Sequence, residues 1–147
     1  MKGTGFSISP ASKPKIVGRM TRGLPIKLRY TKHFSIDLRT ASFILDKQAI
    51  RRATKQFLFD VNLPLVIVED LIVYKLARFD EIDRSDIKSI LIRHAKKIDQ
   101  EYLIEVAKTL EKETGRTDIG KNLKTVLRWM KQFKQINANK QWLVKTN

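Results

Sequence analysis

The side chains able to do chemistry in this sequence are few, and most of them are charged. There is no cysteine, which excludes disulfides, zinc–cysteine sites and thiol catalysis. Of the histidines, His33 sits in an expected turn. His94 lies near the end of an expected helix beside Lys96 and Lys97, where cations are favoured. No Ser-His-Asp or nucleophile-elbow pattern occurs. Gly3-Thr4-Gly5-Phe6-Ser7 has neither the Lys-Ser/Thr ending of a phosphate loop nor a strand before it, and reads as turn or tail. What remains is carboxylate and ammonium chemistry. Asp37 is the only carboxylate in the first 45 residues, on the polar face of an expected strand where Arg39 or Lys27 would satisfy it. Lys75 suits an exposed pair with Glu69 or Asp70, and Asp83 and Asp86 suit helix capping.

Elements that would position these groups follow from periodicity. From Ile16 to Leu38 the signals are those of strands, with Ile26, Leu28 and Tyr30 alternating with Lys27 and Arg29. Thr31-Lys32-His33 would turn the hairpin, and Phe34, Ile36 and Leu38 would share one face opposite Asp37. Residues 46–56 read as a basic helix capped by Asp46 and carrying Arg51 and Arg52. Phe57 to Phe59 and Leu63 to Val68 return to strand character. A helix from Glu69 through Arg78 and a second one starting at Asp83 to Asp86 follow. A third, capped by Asp99 and closed by Gly115, carries the stripe Tyr102, Leu103, Val106, Ala107 and Leu110. The last helix spans Thr117 to Gln135, with Ile119, Leu123, Val126, Leu127, Met130 and Phe133 as its apolar face. Residues 1–15 read as a flexible basic lead-in, 16–135 as a single domain and 136–147 as a polar tail.

Length and composition bound the rest. The chain has 147 residues, 42% of them apolar, enough for one domain with a buried core. No apolar run approaches the roughly 20 residues that span a bilayer, and no signal-peptide pattern opens the chain. A cytoplasmic protein without a membrane partner is expected. The net charge of +15 is polarised. Residues 1–63 hold 13 Lys and Arg against 3 acids, residues 64–116 hold 10 against 11, and residues 117–147 hold 7 against 1. Basic ends around a neutral middle favour polyanionic partners, RNA or DNA first. On the last helix Lys121, Lys124, Arg128 and Lys131, with Lys134, fall at three- and four-residue steps. Such a row of like charges calls for a compensating partner, and phosphates would serve. Arg51 and Arg52 suit phosphate contact as well as they suit a solvated helix face.

The segment Glu69-Asp70-Leu71-Ile72-Val73-Tyr74-Lys75-Leu76, followed by Asp83-Arg84-Ser85-Asp86-Ile87, resembles nucleotidyltransferase-fold proteins of the AbiEii toxin and minimal nucleotidyltransferase type. Their C-terminal half reads roughly "E-D-L-I-x-x-K-L, then R-D-x-x-D-I". The resemblance reaches back to Phe34-Ser35-Ile36-Asp37-Leu38 and on to Asp99-Gln100-Glu101-Tyr102-Leu103, covering most of residues 24–115. It implies an α+β fold, with a small mixed sheet followed by a C-terminal bundle of three to four helices. It also implies NMP transfer from an NTP to RNA or protein, Mg²⁺ as cofactor and an antitoxin protein as partner. By resemblance, Asp37 would bind one metal and help activate the nucleophile. Lys75 would face the nucleotide phosphates or the Asp83 and Asp86 carboxylates, and those two would orient it.

The family's paired carboxylates, an Asp-x-Asp or Asp-x-Glu after a Gly-Ser turn, have no counterpart upstream of Asp37, because residues 1–36 contain neither Asp nor Glu. One carboxylate cannot hold two Mg²⁺ ions. The expectation is therefore the family's C-terminal part, inactive as this chain alone unless a catalytic segment completes it. A non-catalytic nucleic-acid-binding or toxin–antitoxin interaction module is the alternative.

Overall fold

Local capping chemistry and apolar spacing decide where each element starts and stops. The computed structural model describes residues 13–29, 35–58 and 60–145. Its elements run α1 (Lys13–Thr21), β1 (Ile26–Arg29), β2 (Ser35–Leu38), α2 (Ile44–Arg52), β3 (Thr54–Leu58), β4 (Val61–Leu65), α3 (Val68–Arg78), α4 (Glu81–His94), α5 (Gln100–Thr114) and α6 (Asp118–Lys145). The fold is α+β, mostly helical, with a helical C-terminal part. The chain forms two compact units, Met1–Ser42 and Phe43–Asn147.

In the first unit, residues 16–21 are helical where strand was expected. Pro14 sits in the first turn of α1, where its missing N–H costs nothing. Gly23, at φ +67°, ends the segment, and the Leu24 N–H returns to the Arg19 carbonyl at 2.9 Å. The expected hairpin is present: β1 and β2 pair antiparallel from Ile26 with Leu38 to Arg29 with Ser35. Its turn, with His33 and Phe34, lies outside the described residues. Ile36 and Leu38 remain exposed.

The second unit opens with α2, which starts two residues before the expected Asp46 cap. Asp46 lies instead inside the first turn, where its Oδ2 accepts the Phe43 N–H at 3.0 Å and its Oδ1 accepts the Tyr74 hydroxyl at 2.7 Å. The Ile44 N–H finds Glu113, at 3.0 Å from Oε1. Thr54 to Gln56, expected to be helical, belong to β3. That strand pairs antiparallel with β4 from Thr54 with Leu65 to Leu58 with Val61, around Asp60 at φ +61°. Among the described residues the strands thus form two separate antiparallel pairs rather than one mixed sheet. Pro64 is compatible with this arrangement because every strand of a two-stranded sheet is an edge.

Helices α3 to α6 bury the core, joined by Leu45 of α2. Ile72, Leu76, Ile87, Leu91, Leu103, Ile119 and Val126 are completely covered. The stripes expected on α5 and α6 are the ones that face inward. α3 stops at Phe79, whose φ of +52° is unusual for a bulky side chain. Two contacts hold it there: its N–H bonds the Lys75 carbonyl at 2.8 Å, and its ring stacks on Trp129 with centroids 5.9 Å apart. Asn122 Nδ2 donates to the Leu76 carbonyl at 3.0 Å, satisfying one of the free C-terminal oxygens of α3. α5 has the expected cap, Asp99 accepting from the Tyr102 N–H at 3.0 Å, and the expected stop at Gly115, φ +69°. α6 continues to Lys145 through the expected tail, since no Gly or Pro follows Gly120. Leu76→Ala is expected to lower unfolding free energy by about 2–5 kcal/mol in urea denaturation, because the packed helices cannot close the gap.

Candidate functional site

The break between α3 and α4 brings together charges that are far apart along a helix. Asp80 caps α4, accepting the Asp83 N–H at 2.8 Å, so the helix starts earlier than the Asp83 to Asp86 cap that was expected. That register turns Asp83 inward, and only 4% of its side chain is exposed. Lys75, from the last turn of α3, reaches Asp83 Oδ1 at 3.1 Å and Asp86 Oδ2 at 2.6 Å. Arg78 adds Nε to Asp83 Oδ2 at 2.8 Å and to Asp80 Oδ2 at 3.0 Å.

Each shift in acidity here has a clear source. The hydrogen bond from Arg78 lowers the Asp83 pKa, burial opposes it, and Lys75 lowers it further. Burial pulls Lys75 down, but its bonds to Asp86 and Asp83 outweigh that and raise it. Asp83 also raises Arg78. Two cations and three carboxylates leave the cluster net negative. Of the two directions open to Lys75, the carboxylates are the one realised, and a phosphate approaching it would have to displace them. The alternative pairing with Glu69 or Asp70 does not occur. Asp70 is completely buried and accepts the Tyr102 hydroxyl at 2.6 Å, and Glu69 accepts the Asp99 N–H at 2.9 Å. Burial, followed by the bond to Asp70, pushes the Tyr102 hydroxyl well above its ordinary pKa.

Asp37 belongs to the first unit, the Lys75 cluster to the second. Asp37 faces Lys27 across the β1–β2 pair, with Nζ 3.8 Å from Oδ1 and both side chains more than half exposed. A Mg²⁺ ion needs several oxygen ligands, and Asp37 supplies a single carboxylate. Among the described residues no group of three or more His, Cys, Asp or Glu could hold a metal. These residues do not by themselves fit the two-metal site that the resemblance implies.

The cationic surface is more open. Lys121, Lys124, Arg128 and Lys131 are all exposed on α6, within about 15 Å along its axis. None forms an ion pair with a carboxylate among the described residues; Arg128 Nη2 donates to Thr125 Oγ1 at 3.2 Å. Arg51 is exposed, whereas Arg52 lies over the Tyr102 ring, 3.4 Å from its centroid. His94 borders a cleft of about 590 Å³ with Lys97, Glu69 and the apolar Leu58, Leu65 and Ile98. The sequence puts Tyr102 on the apolar stripe of α5 and Tyr74 and Arg78 in α3, but not in these polar contacts. Only Arg78, three residues after Lys75, carried a signal that could have found it. No helix among the described residues is long and apolar enough to cross a membrane. Comparison with family models, curated proteins and solved structures finds no match to this chain.

The cluster makes stability depend on pH at both ends. With its pKa lowered, Asp83 contributes stability above the ordinary carboxylate value of 3.8, which is lost as pH falls through its folded value. With its pKa raised, Lys75 contributes below 10.5, and that is lost as pH rises through its own folded value. Asp83→Asn should cost about 1–3 kcal/mol at neutral pH. It should also shrink the further loss on acidification, as read by urea denaturation at neutral and acid pH.

Proposed function

We propose that this chain is a nucleotidyltransferase-like domain that binds nucleic acid through α6, and that these residues alone bind rather than transfer. The observation that carries the reading is the row of exposed cations on α6, four charges with no carboxylate partner among the described residues. Polyanion binding relieves the repulsion within such a row and releases counterions from the nucleic acid. The segment's resemblance to the AbiEii type supports the nucleotidyltransferase-like part, and the meeting of Lys75, Asp83 and Asp86 makes that motif a physical unit. In this reading Lys75 acts as a pin between α3 and α4. Asp37 is available as one ligand for Mg²⁺, whose role when bound would be to stabilise charge on a transferring phosphoryl group. The paired carboxylates needed beside it are not among the described residues. A cytoplasmic location belongs to the same proposal.

Fluorescence anisotropy with labelled RNA and DNA oligonucleotides tests the binding. Affinity is expected to fall steeply with salt, and the combined change Lys121→Ala, Lys124→Ala, Arg128→Ala and Lys131→Ala should lower the log–log slope by roughly 3 on a single strand. A flat salt dependence, or a slope unchanged in the variant, would sink the proposal. Purified chain given labelled NTP and Mg²⁺ is expected to transfer no label. Transfer that survives Asp37→Ala would contradict the part assigned to that residue.

A further inference from the structure

A groove of about 390 Å³ lies between the start of α5 and the middle of α6, lined by Gln100, Leu127, Lys131, Lys134 and Gln135. Lys131 belongs both to this groove and to the cationic row, so the two form one continuous surface. The composition of the groove differs from that of the row. Leu127, half-buried, supplies an apolar floor, and the side-chain amides of Gln100 and Gln135 each offer a donor and an acceptor. The ammonium groups of Lys131 and Lys134 offer donors only.

We propose that this groove takes one unpaired nucleotide, and that the chain therefore prefers single-stranded nucleic acid to duplex. The inference rests on the nucleic-acid reading above and names the class of ligand. Cations on a helix attract the phosphates of any strand, so the row alone does not discriminate. An apolar floor flanked by amides does, because a base can lie on it and meet the amides only when its face and its pairing edge are free. In a duplex the faces are stacked and the pairing edges occupied, whereas a single strand can splay a base out. Glutamine amides can hydrogen-bond the donor–acceptor groups on the Watson–Crick edge of an unpaired, splayed base. Lys131 and Lys134 then hold the phosphates on either side.

The test is anisotropy at matched salt with one oligonucleotide sequence presented as a single strand and as a blunt duplex. Wild-type chain is expected to bind the single strand more tightly. Gln100→Ala with Gln135→Ala should weaken single-strand binding about threefold to tenfold while leaving duplex affinity and the salt slope unchanged. Both glutamines are exposed, so thermal melting should confirm an intact fold. Gln135→Glu, which sets a negative charge beside the phosphates, should weaken single-strand binding further. Equal affinity for the two forms, with both variants neutral, would overturn the groove and leave the reading of α6 standing. Loss of all binding, wild type included, would remove both.

Discussion

Asp83 is a buried carboxylate that stays charged because Lys75 and Arg78 reach it from the preceding helix, and much of the second unit depends on that arrangement. An isolated charge at that depth would be strongly penalised. The two cations reach it only because α3 stops at Phe79 in a left-handed conformation and α4 restarts at once behind Asp80. Phe79 in turn is held by Trp129 of α6, and the Leu76 carbonyl, which has no partner within α3, by Asn122. The turn between α3 and α4, the ion cluster and the docking of α6 are thus mutually dependent.

That dependence bears on how the motif should be read. By resemblance, Lys75 would face nucleotide phosphates or the Asp83 and Asp86 carboxylates. In this chain Lys75 and the two carboxylates satisfy one another, and the cluster's net charge is negative. The cations proposed to meet an anionic partner are exposed on α6, and none of them forms an ion pair with a carboxylate among the described residues. In the proposed reading, structural and binding roles fall on different residues: the motif organises the bundle, and the bundle presents the basic helix.

What was legible in the sequence was mostly local. Asp99 before an apolar stripe and Gly115 after it mark α5 because capping acts within one turn. The inward faces of α5 and α6 follow from spacing alone. Asp46 and Asp83 were placed at helix starts, yet both lie inside a first turn, because an aspartate suits the cap and the third helical position nearly equally. The choice was made by distant partners, Tyr74 for Asp46 and Lys75 with Arg78 for Asp83. Residues 16–21, at the start of the segment where strand is expected, belong to α1, and none of the described strands pairs with it. The strands themselves were largely found. Their grouping into two separate pairs was not legible, because pairing joins residues that no local pattern links.

The most direct test of the central claim, that α6 is the face that meets nucleic acid, is photo-crosslinking of the full chain to RNA followed by peptide mapping. The account predicts cross-links concentrated in peptides covering residues 121–135. Cross-links confined to the first unit or to the β3–β4 hairpin, with α6 unmarked, would contradict it.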